Sequence, residues 1–323
     1  MALTVRWCVL LGALLLFPVI TRATETRIIT LGGNPLLLPD DELDVFIFPH
    51  RLAERQEEFL DADLSREYVV YGGEKYIFAL GREETTIAAL RPNASRRRPA
   101  LDIGWLGEKT GLVGTLVWEN PTGNKGALDI ALKGSQRVGD RDVAVELELL
   151  TVEAGDTGFG IRAYGRQDID LMDGTFNLGI ASLAFEDLGE GNGFDRSLEG
   201  HLGVARNEKI DPKTRMVYGV IGELKQVAGG EWSLFVPTVF GGEFELYKGV
   251  VMRVSGTKAW GLRSTDQDGT QINSEPTVFS YGMGVRRGRL SVDVQFEADI
   301  LRENPFGGDS DFTRTTSMTL WFD

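Results

Sequence analysis

Eleven consecutive residues near the end of the chain alternate without a break, with Leu290, Val292, Val294, Phe296, Ala298 and Ile300 on one side and Ser291, Asp293, Gln295, Glu297 and Asp299 on the other. A period of two puts successive side chains on opposite faces of a strand, so this stretch has one apolar and one charged face. Strands of soluble sheets usually stop after about five or six residues, whereas a tilted strand needs about nine to eleven to cross a bilayer. The pattern recurs in Val143, Val145, Leu147 and Leu149 against Asp142, Ala144, Glu146 and Glu148, and in Leu101, Ile103 and Trp105 against Asp102 and Gly104. Shorter rows repeat it at Leu128, Ile130 and Leu132, at Phe159, Ile161 and Ala163, and at Val250, Met252 and Val254.

Turn residues between the rows divide residues 67–323 into about fourteen antiparallel strands, within a range of roughly 12–16, and parity selects an even number. The expected spans are 67–81, 100–106, 111–119, 125–133, 141–152, 157–166, 174–185, 196–207, 214–226, 231–240, 243–262, 275–287, 289–301 and 312–323. Gly72-Gly73 is read as a bulge inside the first strand, since a turn there would give an odd count. Long connections at 82–99, 186–195, 263–274 and 302–311 then share one end, and tight turns at 107–110, 241–242 and 286–289 share the other. Aromatic residues gather at both ends, with Trp118, Phe185, Trp232, Trp260 and Phe312 on the long-loop side and Trp105, Phe176, Phe240, Phe244, Trp321 and Phe322 opposite. An all-β, antiparallel transmembrane barrel accounts for these features, although a soluble sandwich or periplasmic barrel would show the same alternation with its apolar face turned inward.

The first 23 residues read as a signal peptide: Arg6 precedes an apolar run from Trp7 to Ile20 that is too short to span a bilayer, and Thr21-Arg22-Ala23 supplies a small residue at the cleavage site. Cys8 is the one cysteine and lies in that segment, so the exported part has no disulfide to draw on. With 34 Lys plus Arg against 48 Asp plus Glu, a net charge of −14 excludes the basic footprint of a nucleic-acid binder. Only 2 His leave little imidazole for enzymatic or metal chemistry, and no cofactor is expected.

The last residues, Met318, Leu320 and Phe322 with Trp321 beside them, resemble the terminal signal by which outer-membrane barrels are recognised for insertion. That resemblance implies the barrel-assembly machinery as a partner and the bacterial outer membrane, with its lipid and lipopolysaccharide, as the location. Arg27, Leu31-Gly32-Gly33, Pro39-Asp40-Asp41 and Phe48-Pro49 resemble the start of outer-membrane long-chain fatty-acid transporters and related secretion-associated barrels. Membership would imply fourteen strands, an N-terminal segment folded into the lumen as a plug, and passage of small or hydrophobic solutes.

Residues 24–66 form that plug or cap in the expected layout. Pro49 suits the first turn of a short helix running through Arg51 and Glu54 toward Leu60, and Leu36, Leu37, Leu38, Val45, Phe46, Ile47 and Phe48 are too apolar for an idle tail. The segment either gates the lumen or packs against one barrel end.

On the polar faces, Asp102, Asp129, Glu146, Glu148, Glu199, Glu245, Asp293, Glu297 and Asp299 stand against Lys133, Arg162 and Arg253. An open lumen with that wall would favour cations; otherwise the acids are neutralised by bases on other strands. His201 follows Glu199 on one strand, and in the absence of an elbow-type Ser motif it reads as a lumenal wall residue rather than a lipase base. Asp266-Gln267-Asp268-Gly269 is a fragment of a calcium loop without its closing Glu, and Arg96-Arg97-Arg98 falls on the first outer loop, where it could meet lipopolysaccharide phosphates. Three functions stay open on this reading: a channel or transporter for an unknown small or hydrophobic solute, a non-conducting scaffold for secretion or surface attachment, and a soluble periplasmic binding protein.

Overall fold

The computed structural model describes residues 27, 31, 35–38, 42–54, 58–63, 68–82, 100–107, 109–119, 127–151, 157–187, 196–227, 232–263, 277–296 and 313–322. The signal segment, Glu297, Asp299 and the 266–269 and 96–98 motifs lie outside these residues. The strands are β1 (Glu58–Asp63), β2 (Tyr68–Gly72), β3 (Tyr76–Arg82), β4 (Ala100–Leu106), β5 (Thr110–Glu119), β6 (Ala127–Val138), β7 (Arg141–Thr151) and β8 (Thr157–Leu171). They continue as β9 (Phe176–Asp187), β10 (Arg196–Asp211), β11 (Thr214–Val227), β12 (Ser233–Tyr247), β13 (Val250–Arg263), β14 (Val278–Arg287), β15 (Leu290–Phe296) and β16 (Thr313–Phe322). Each pairs antiparallel with its sequence neighbours, and β1 pairs with β16, Glu58 opposite Phe322 and Asp63 opposite Ser317, to close the barrel.

Sixteen strands replace the fourteen expected, and two local readings account for the difference. Gly72 ends β2 and Tyr76 starts β3, so the bulged first strand is a hairpin. Residues Glu58–Asp63, assigned to the end of a plug helix, are β1. Among the described residues no α-helix runs from Pro49 toward Leu60: Pro49–Glu54 is a short 3-10 helix, as are Pro35–Leu37 and Glu42–Phe46. The physical reason is closure. A helix over 58–63 would leave the edges of β2 and β16 unpaired in lipid, where no water can satisfy them. The turn expected at Gly241-Gly242 is instead mid-strand in β12, opposite Val254 and Ser255, and the chain reverses at Lys248 and Gly249.

The direction of the apolar face settles the choice left open by the sequence. Leu132, Leu147, Leu149, Leu202 and Leu262 are all more than half exposed, whereas Asp102, Arg253, Asp293, Ser291 and Thr319 are fully buried. Charged side chains line the inside and apolar ones the outside, the inverse of a soluble sheet protein and the arrangement a lipid-embedded barrel requires. The terminal residues fit this division, since Met318, Leu320 and Phe322 alternate with the buried Ser317 and Thr319 along β16.

The apolar core sits inside the barrel. Leu31, Leu36, Leu37, Leu38, Val45, Phe46, Ile47 and Phe48 form one buried cluster with wall residues that include Leu178, Ile180, Val217, Ile221 and Val239. Two inward glycines let the plug backbone lie against the wall. A Cβ on Gly111 would meet the backbone N of His50 at 2.5 Å, and one on Gly241 would meet the carbonyl O of Leu31 at 3.1 Å.

Candidate functional site: the charged lumen

Tight turns at 73–75, 139–140, 172–175, 212–213, 248–249 and 288–289 lie at the end of the barrel that also holds both termini of the wall. The plug is anchored near this end. Arg166 donates from Nη1 and Nη2 to the two carboxylate oxygens of Asp44 at 2.7 and 2.6 Å. Asp142 accepts from Arg51 Nε at 2.9 Å and lies 3.0 Å from His50 Nε2, while Ser135 Oγ accepts from the His50 backbone N–H at 3.0 Å. Lys133 donates to the Phe46 carbonyl at 2.6 Å and pairs with Glu146 at 2.7 Å; Asn207 donates to the Leu37 carbonyl at 2.8 Å. Across the lumen, Arg27 donates to Glu243 at 2.8 Å. Glu243 also pairs with Arg253 at 2.7 Å and Arg286 at 3.7 Å, and Arg253 in turn binds Asp293.

A buried charge is tolerated only when paired, because each ion has lost its water. These networks therefore act as clamps: Asp44 is 0% exposed and is neutralised by Arg166. Arg27, Asp44, His50 and Arg51 come from the plug and their partners from β6, β7, β8 and β12, so the N-terminal segment is joined to both sides of the wall.

Farther from the tight turns, Arg162 of β8 bridges Glu148 of β7 at 2.7 Å and Glu186 of β9 at 2.6 Å. Asp102 accepts from the Thr115 hydroxyl at 2.6 Å, Asp129 is buried on β6, and Glu245 accepts from the Gly249 N–H at 3.1 Å near the β12–β13 turn. One more group stands apart on β9, β10 and β11. Ser182, His201 and Glu223 occupy one cross-strand row, with Glu199 two residues along β10 on the same face. His201 Nδ1 lies 2.9 Å from Ser182 Oγ, and Nε2 lies 3.1 Å from Glu199 Oε1 and 3.7 Å from Glu223 Oε2.

The structure thus brings Glu146, Glu148, Arg162, Arg253 and Asp293 together with bases or acids from neighbouring strands. It buries the plug residues Leu36, Leu37, Leu38, Phe46, Phe48 and Pro49 inside the barrel. Asp44, His50, Arg166, Ser182, Glu186, Glu223, Glu243 and Arg286 complete these groups and were not among the candidate site residues, and Arg51 and Asp142, read from the sequence only as part of a helix and of a charged strand face, join them. Asp142 shares the polar face of Glu146 and Glu148 and was within reach; Ser182 and Glu223 were not, because only strand register sets them beside His201.

No family model matches the chain, and neither does any curated protein. Among solved structures it is similar to a bacterial polysaccharide outer membrane secretin, with a TM-score of 0.52, 13% identity, and coverage of 83% of this chain and 97% of that one. Two structures of OmpT, an outer membrane protein of Vibrio cholerae, align with TM-scores of 0.43 and 0.42. Their identities are 11% and 10%, over 79% and 82% of this chain and 80% and 95% of those. At 13% identity the first likeness is one of fold.

Proposed function

We infer that the chain is a bacterial outer-membrane β-barrel, from its apolar exterior, its closed sixteen-strand wall and the fold it shares with an outer-membrane secretin. We propose that it is a plugged barrel, electrically silent while residues 27–54 are seated, that serves secretion or surface attachment rather than free diffusion of a small solute. One observation carries this reading. Barrels of about sixteen strands are wide enough to leave an aqueous channel. Here Asp44, His50, Arg166 and Asp142 are nonetheless buried within a continuous plug-to-wall ion-pair network.

The likeness to a polysaccharide secretin is in keeping with a secretion role, and the resemblance of Arg27 to Pro49 to fatty-acid transporters and secretion-associated barrels fits a lumenal N-terminal segment. Among the described residues, Glu146, Glu148, Glu243 and Asp293 all face bases within ion-pair distance, so these carboxylates are neutralised rather than free to form the cation-selective ring of an open porin. No enzymatic step belongs to this reading. Planar-bilayer recording of the intact barrel tests it: silence is expected, and sustained single-channel steps from the intact chain would overturn it in favour of a solute channel.

A further inference from the structure

Among the described residues, Glu199, His201 and Glu223 are the one group of three or more His, Cys, Asp or Glu side chains whose ligand atoms converge, all lying within 4.8 Å of one another. We propose that they form a lumenal site for a single divalent transition-metal cation of the zinc class, distinct from the plug clamps and independent of what the barrel passes. Zinc bonds of about 2.0–2.2 Å to nitrogen and carboxylate oxygen place tetrahedral ligand atoms about 3.3 Å apart. The distances from His201 Nε2, 3.1 Å to Glu199 Oε1 and 3.7 Å to Glu223 Oε2, bracket that edge.

Three further features favour a cation. With Nδ1 protonated, His201 donates to Ser182 Oγ across 2.9 Å, which fixes the ring and leaves Nε2 as the free lone pair, as metal-bound histidines are usually held. Glu199 Oε2 is buried and accepts no hydrogen bond among the described residues, with Lys225 Nζ at 3.9 Å, so a second carboxylate oxygen is available to the ion. The site is also reachable, since the His201 and Glu223 side chains keep 22% and 24% of their exposure, in contrast to the sealed clamps. One imidazole and two carboxylates carry the charge of a divalent ion, and the fourth position faces the lumen, open to water or to an anionic or hydroxyl group.

Ser182, His201 and a glutamate are also the residue types of a hydrolytic triad, but the roles do not fit. Both carboxylates and the serine lie on opposite ring nitrogens as a triad needs, yet Ser182 is flanked by Tyr164 and His201 in the ladder, where backbone N–H groups bond to the neighbouring strands. No pair of N–H donors is left to form an oxyanion hole there.

The test is calorimetric titration of Zn2+ into the detergent-folded, chelator-stripped barrel, with folding of each variant checked by heat-modifiable mobility. One equivalent is expected to bind. His201→Gln and Glu223→Gln should each weaken it at least 100-fold, Ser182→Ala about tenfold as an orienting contact, and Lys225→Met should strengthen it several-fold by removing a like charge. X-ray absorption of the zinc-loaded barrel should show one nitrogen among oxygen ligands. Absence of zinc binding by the wild type, unchanged affinity in folded His201→Gln, equal affinity for Ca2+, or covalent labelling of Ser182 by a fluorophosphonate would each overturn the assignment.

Discussion

The two levels of the lumen use the same kinds of side chain to opposite ends. Near the tight turns, Arg166, Asp44, Asp142 and Arg51 come from both wall and plug, each charge meets its complement, and Asp44 and Arg166 keep only 0% and 3% of their exposure. Nearer the long loops, Glu199, His201 and Glu223 come from two adjacent strands of the wall alone, with Lys225 as the nearby base, and stay partly open. Charge composition does not separate the two levels. Partner supply does: a plug contributes its own acid and bases and completes the wall, whereas a bare wall of one histidine and two glutamates is left with valence for something else.

The largest effect should come from removing the plug while sparing β1. A chain lacking residues 24–55 keeps Glu58–Asp63 to close the barrel against β16, and it should convert electrical silence into open-pore conductance in planar bilayers. Persistent silence would show that wall side chains close the lumen unaided and would erase the contrast between the levels. Next, Arg166→Ala removes the guanidinium that Asp44 and Asp142 share, leaving Asp142 to Arg51 and His50, which should cost about 3–5 kcal/mol in reversible urea unfolding from detergent or lipid.

A smaller loss, about 1–3 kcal/mol, is expected for Gly111→Ala, whose new methyl would push on the Pro49–His50 backbone; limited proteolysis should then release the 27–54 segment faster. At the other level, His201→Gln should change unfolding by less than about 1 kcal/mol in chelator, because the His201 and Glu223 side chains stay partly open to solvent. A loss there as large as that of Arg166→Ala would mean that the two levels are one structural network.

How much of this was legible can be followed in individual elements. Leu290 to Phe296 was readable as a strand with Asp293 and Gln295 on the charged side, because alternation is a local property of the chain. β1 was not: Glu58-Phe59-Leu60-Asp61-Ala62-Asp63 is short, its acids follow Glu54 and Glu57 at helical spacing, and only pairing with β16 makes it a strand. The Gly72-Gly73 turn was visible but was discarded by parity, and parity misled because the missing β1 had already made the count odd. At the site, His201 and Glu199 could be found as neighbours on one face, but Glu223 and Ser182, 22 and 19 residues from His201, could not.

By itself the sequence determined that this chain makes long amphipathic strands with one charged face and that its apolar N-terminal segment needs cover, since both follow from side chains spaced along a few residues of backbone. Tertiary structure alone decided which way the apolar face points, how many strands close the ring, and which acid meets which base. Those outcomes depend on closure and register, and a one-residue slip of register turns every side chain to the opposite face.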